Sequence, residues 1–169
     1  KKGNFLQIFP MSYMAGFLNS TLCPLLAGSN IIISKEINNY NLLNFWHYIK
    51  KYKINYTWIS PAIIKFLNET KSLNYNTKNK FIKKIFVGTA PFHKNEKKLF
   101  YKNFKIYPFE SYGSTEMLLV SSNINKNQGS GRLLDGVKIK ISKSNELLIN
   151  SIFRYKGILK KNTNYRIIN

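Results

Sequence analysis

Arginine is nearly absent from this 169-residue chain, occurring only at positions 132, 154 and 166. Acidic residues are also few, seven against 27 basic ones, and the formal net charge is +20. A charge of that size invites a nucleic-acid reading, because lysines that neutralise phosphates release counterions. The scarcity of arginine weakens it, since bidentate recognition of phosphates and base edges is arginine's speciality. The lysines are scattered among asparagines and isoleucines, a texture of compositional drift more than of a designed basic face. A basic nucleic-acid-binding protein therefore ranks low among the readings, and nucleic acid is not expected as a partner. Cysteine is limited to Cys23, which excludes an internal disulfide. Its neighbours Leu22, Pro24 and Leu25 suggest that it packs rather than reacts. Long apolar runs are missing too, and Lys1-Lys2-Gly3-Asn4 is followed by no secretory apolar stretch, so a cytoplasmic protein without a membrane span is expected.

What is present is a composition able to fold: 44% hydrophobic and 15% aromatic residues suit a globular core. Phe5-Leu6-Gln7-Ile8-Phe9 reads as a strand stopped by Pro10, and 12–27 has helical spacing ended by Gly28-Ser29. Ile31-Ile32-Ile33 is a second strand. Asn41 then caps a helix with Leu42, Phe45, Trp46, Ile49 and Tyr52 on one face. A strand at 54–59 leads to Ser60-Pro61, cap and first residue of a helix over 62–68. Beyond a polar loop to about Lys80, Ile85-Phe86-Val87 is a strand, 94–103 a basic amphipathic helix on Leu99 and Phe100, and 105–109 a strand. From Val137 the pattern changes to antiparallel strands joined at Ser144-Asn145. The expected fold class is α/β, a mostly parallel sheet flanked by helices and followed by a smaller antiparallel β portion. Its units are an α/β subdomain at 1–125 and the incomplete start of a β subdomain at 126–169.

In open α/β sheets ligands bind beyond the carboxyl ends of the strands. Two segments lie there: Gly88-Thr89-Ala90-Pro91 and Glu110-Ser111-Tyr112-Gly113-Ser114-Thr115-Glu116. The second sets a hydroxyl and a carboxylate side by side after a glycine. A threonine hydroxyl can donate to a phosphate oxygen, a glutamate can hold Mg²⁺, and a tyrosine face can stack on a base. A plain turn carrying Thr and Glu is the simpler alternative for so short a pattern.

The order of these motifs resembles the acyl-adenylate-forming superfamily, the AMP-binding ligases that include acyl-CoA synthetases and the adenylation domains of peptide synthetases. Pro10-Met11-Ser12-Tyr13-Met14-Ala15-Gly16 looks like that family's helix-starting segment beside the acyl pocket. Gly88-Thr89-Ala90-Pro91 is similar to its small-residue turn bordering adenine, and Glu110–Glu116 to its central motif. Gly129-Ser130-Gly131-Arg132, Gly136–Ile141, Glu146–Ile149 and 156–159 look like later landmarks in the usual order.

The resemblance implies an AMP-forming ligase that activates a small carboxylic acid with ATP and Mg²⁺ and passes the acyl group to coenzyme A or to the phosphopantetheine of an acyl carrier protein. Thr115 and Glu116 would be the catalytic pair, with Glu116 on the metal. Gly88, Thr89, Ala90, Pro91, Glu110, Ser111, Tyr112, Gly113, Thr115 and Asn169 would form the nucleotide site; Tyr13, Gly88 and Ser114 would line the substrate pocket. Tyr165-Arg166-Ile167-Ile168-Asn169 is similar to a terminal landmark in which Asn169 stands where an aspartate would grip the ribose. No Ser/Thr/Gly-rich phosphate loop ending in lysine precedes Pro10. The chain is therefore expected to be a central fragment, inactive alone, with another chain supplying that loop and a C-terminal domain. A non-catalytic adenine-nucleotide-binding module is the alternative.

Overall fold

A computed structural model describes residues 3–34, 39–70, 80–124 and 129–156. The seven-stranded sheet has the order β2-β1-β3-β4-β5-β6-β7. Its strands are β1 (Asn4–Gln7), β2 (Asn30–Ile33), β3 (Ile54–Ile59), β4 (Lys84–Val87), β5 (Pro108–Ser114), β6 (Leu118–Ser122) and β7 (Arg132–Leu133). The first five pair in parallel, and β6 and β7 turn antiparallel. A separate hairpin, β8 (Val137–Ile141) and β9 (Leu147–Ser151), pairs Ile139 with Ile149 and turns where Asn145 takes φ +60°. The α/β class is thus observed, with its parallel sheet, flanking helices and smaller antiparallel part. The boundary expected after residue 125 falls at 125–128, outside the described residues. No helix among the described residues is long and apolar enough to cross a membrane.

One face of the sheet carries the core. Leu6, Ile59, Ile85 and Val87 point to the same side and meet Ile64 and Leu67 of α4 (Pro61–Thr70), Trp46 and Ile49 of α3 (Phe45–Lys51), and Phe100 and Phe104 of α5 (Lys94–Phe104). The i, i+3, i+4 spacing of these helical residues makes each helix one-sided, which is why they lie flat on the strands. Thr57, fully buried among them, gives its hydroxyl to the Leu6 carbonyl at 3.0 Å, so the core holds no polar debt at that point. Asn68 of α4 donates to the Glu96 carboxylate at 2.8 Å and accepts from Asn103 at 3.2 Å, fixing α5 against α4. Ser60 caps α4 as its sequence foretold, accepting from the Ile63 N–H at 3.3 Å.

Three elements depart from the sequence reading. The helix expected over 12–27 is a π-helix at Ala15–Leu22 that runs into a short α1 (Cys23–Leu26). Thr21 Oγ1 and the Cys23 N–H each reach back five residues, to the carbonyls of Gly16 and Leu18. The wide ladder stops where Pro24 has no N–H to give. Gly16 is indispensable there, because a Cβ would stand 2.1 Å from the Pro10 carbonyl oxygen. The single helix expected after Asn41 is two, α2 (Asn39–Leu43) and α3, broken at Asn44 where ψ rises to 7°. The last parallel strand, expected to end at Phe109, continues as β5 through Ser114, because its polar second half pairs with β6. Cys23 is also exposed rather than packed.

Candidate nucleotide crevice

The carboxyl ends of β4 and β5 lie side by side, with Val87 opposite Glu110. Ser111 Oγ donates to the Val87 carbonyl at 3.3 Å and holds the two ends together. Above them opens a crevice of about 410 Å³, lined by Thr89, Ala90 and Pro91 from one turn and by Glu110, Ser111, Tyr112 and Gly113 from the other. The two motifs singled out in the sequence therefore meet. Gly88 sits buried behind the crevice, between the Trp58 ring and Ser111. Phe92 and Ser130 complete the wall. Ser130 is brought in by Asn123, whose N–H donates to the Glu110 carbonyl at 2.7 Å while its side-chain amide donates to the Gly129 carbonyl at 2.8 Å.

Backbone strain marks the same place. Thr89 has φ +78°, a left-handed conformation that a β-branched residue adopts only when its surroundings compel it. Thr89→Gly should relieve the strain and raise stability by about 1 kcal/mol. Chemical denaturation would show the gain as a higher midpoint at unchanged slope. Gly113 answers a different need. A Cβ on it would meet the Leu118 carbonyl oxygen at 2.3 Å, so the close crossing of β5 and β6 at the bulge is open only to glycine.

Thr115 and Glu116 stand exposed on the tight turn between β5 and β6, beside the crevice. Hydrogen bonds from the Ser114 hydroxyl and from its own backbone N–H hold the Glu116 carboxyl below the usual carboxylate range. It therefore stays ionised as pH falls, and takes up its proton only below the usual carboxylate range. Ser114→Ala removes the first cause and should move that protonation to higher pH, followed directly by carboxyl ¹³C titration. From outside, the Tyr155 N–H donates to the Glu116 carbonyl at 2.8 Å and Ser151 Oγ to the Met117 carbonyl at 3.4 Å, so the end of the β8–β9 hairpin buttresses the turn.

Sequence reasoning missed Lys97. Its ammonium pairs with the Glu110 carboxylate, and it lies 5.3 Å from the Tyr107 ring centre and 5.9 Å from that of Phe92. The side chains of the pair are only 12% and 15% exposed. Glu110 is thus held from below by α5, a partnership of residues 13 positions apart that no local pattern signals. Tyr13, expected in the substrate pocket, is 65% exposed and does not line the crevice. Asn169 and residues 157–159 lie outside the described residues. Among the described residues no three His, Cys, Asp or Glu side chains cluster as a metal site, and Glu116 is a single carboxylate.

The fold is shared with adenylate-forming enzymes. A malonyl-CoA ligase, in a ternary product complex with methylmalonyl-CoA and AMP, superposes with a TM-score of 0.76 at 15% identity over 95% of this chain and 37% of that one. ATP-bound MatB from Rhodopseudomonas palustris gives a TM-score of 0.76 at 15% identity, over 92% of this chain and 33% of its own. The amide bond synthetase McbA from Marinactinospora thermotolerans gives 0.71 at 17% identity, over 92% and 34%. The chain spans about a third of the length of these relatives. No curated protein sequence matches it. The sequence profile of AMP-binding enzymes, however, matches residues 2–149, taking in both motifs that build the crevice, and the chain belongs to that family.

Proposed function

We propose that this chain carries the nucleotide crevice of an AMP-forming ligase that activates a carboxylic acid as its acyl-adenylate and transfers the acyl group to a thiol. The observation that carries the reading is the convergence of the Gly88–Pro91 turn and the Glu110–Glu116 motif at the carboxyl ends of two adjacent parallel strands. In the reaction a carboxylate oxygen of the acid forms a bond to the α-phosphorus of ATP. The bond from that phosphorus to the bridging oxygen breaks, and its electron pair leaves with pyrophosphate. The thiol then attacks the acyl carbon and AMP departs.

The chain's own residues position these groups. Tyr112, 42% exposed at the crevice mouth, offers a ring face to adenine. The Thr115 hydroxyl donates to a phosphate oxygen. The residues fit Mg²⁺ in the manner usual for that ion, one carboxylate plus substrate phosphates, with Glu116 kept ionised and oriented by Ser114. Magnesium bound there would supply neutralisation of the polyphosphate charge. Coenzyme A is the proposed acceptor, supported by the acyl-CoA product in the malonyl-CoA ligase relative.

Calorimetric titration with Mg·ATP tests the reading, alongside pyrophosphate exchange over a panel of carboxylic acids. Glu116→Ala should weaken Mg·ATP binding by about tenfold or more, the scale of a lost charge-assisted contact. A folded chain that binds neither ATP nor AMP would overturn the proposal.

A further inference from the structure

Helix α5 and its C-terminal cap carry a row of lysines, Lys94, Lys98, Lys102 and Lys105, at the three- and four-residue spacing that keeps side chains on one flank. The row is not uniform in its surroundings. Lys94 and Lys98, together with Lys97 and Tyr101, line a cavity of about 440 Å³, whereas Lys102 and Lys105 do not. Phe92, Tyr107 and Glu110 line the same cavity from outside the helix. Three ammonium groups thus border a single carboxylate. That carboxylate is already taken, since Glu110 pairs with Lys97, and neither Lys94 nor Lys98 has an acidic partner among the described residues.

Residues four apart on a helix hold their Cβ atoms about 5–6 Å from each other, so the two long side chains can converge on one anionic group. The aromatic part of the wall is set in place beforehand. Lys97 lies over the rings of both Phe92 and Tyr107, and Tyr107 stands edge-on to Phe109 with ring centres 5.4 Å apart. The cavity is distinct from the nucleotide crevice. Thr89, Tyr112 and Gly113 line the crevice alone, while Phe92 and Glu110 stand between the two hollows and belong to both.

We propose that this cavity binds a phosphate monoester of a flat aromatic ring, at a site separate from the nucleotide crevice and independent of the ligase reading. A phosphate monoester carries close to two negative charges at neutral pH, which matches the two ammonium groups left unpaired. Tyr101, half exposed, adds a hydroxyl that donates to a further phosphate oxygen. The ring of the ligand lies against Phe92 and Tyr107. Both lysines are exposed, so each contact to the phosphate contributes modestly and the rings must add to it. A neutral ring gains nothing from the lysines, and bare phosphate gains nothing from the rings.

The test uses the full chain and three probes, 1-naphthyl phosphate, 1-naphthol and inorganic phosphate, with binding read by calorimetry at low ionic strength. 1-Naphthyl phosphate should bind at least about tenfold more tightly than either of the others. Lys94→Met and, separately, Lys98→Met should each weaken it about fivefold, the scale of one exposed ion contact. Lys102→Met removes the same charge from the same helix outside the cavity and should change the affinity by less than about twofold. Tyr112→Ala, which alters the crevice alone, should also leave it within about twofold. All four positions are exposed, and circular dichroism checks that each variant folds. A loss at Lys102→Met equal to that at Lys94→Met would mean attraction to diffuse basic charge, and a loss at Tyr112→Ala would put the ligand in the crevice. Either result overturns the proposal, as does a phosphate ester that binds no better than inorganic phosphate. No arm of the experiment depends on ATP, so a chain that binds the ester but no nucleotide keeps this site and loses the ligase reading alone.

Discussion

Phe100→Ala should cost about 3–5 kcal/mol, the range for emptying a large aromatic site in a packed core. Phe100 is fully buried. Its ring lies 4.7 Å from Phe104 and 6.4 Å from Trp46, and Trp46 lies 4.9 Å from Phe104. These three rings join α3 to α5, and they cannot collapse together because Trp46 is pinned by α3 and both phenylalanines by α5. A domain stable by roughly 5–15 kcal/mol would lose a large share of its margin. Urea denaturation should show the midpoint falling steeply. Leu99→Ala is the control: Leu99 is the neighbouring residue, 41% exposed, and its loss should change stability by about 0.5 kcal/mol or less. Equal effects at the two positions would refute the packing of α5 described above.

Lys97→Met should cost about 3 kcal/mol, the low end for breaking a buried ion pair, since a little water still reaches both side chains. The loss comes from the Glu110 carboxylate left uncompensated in the crevice floor, more than from any attraction forfeited. A double-mutant cycle distinguishes the two. Lys97→Met with Glu110→Gln should be more stable than Lys97→Met alone, because the stranded charge is gone. Additive losses would mean that the two side chains do not share one site.

Much of this architecture was legible because local chemistry and global fold agree. Ile85-Phe86-Val87 is a β-branched and aromatic run, Ser60-Pro61 has a cap's hydroxyl and a first-turn proline, and Asn145 tolerates the left-handed turn of its hairpin. Where the reading failed, the determining contact lay elsewhere in the chain. Glu110–Ser114 carries no apolar alternation, and it is strand only because Leu118–Ser122 pairs with it. The π-helix follows from Gly16 nesting on the Pro10 carbonyl and from Pro24 ending the ladder, neither of which alters the hydrophobic period. Of the crevice, the residues adjacent in sequence were readable, whereas Phe92, Ser130 and Lys97 required the fold.

The position of β1 in the sheet bears on how the chain reaches its native state. Its neighbours are β2, where Asn4 meets Asn30, and β3, where Leu6 meets Thr57. Both pairings are parallel and span long loops, so their closure entropy must be met before either gives anything back. Strand β1 is thus made well before either neighbour, and it lacks the second of them until residue 59 has emerged. During that interval Phe5 and Leu6 are the apolar edge a chaperone would find.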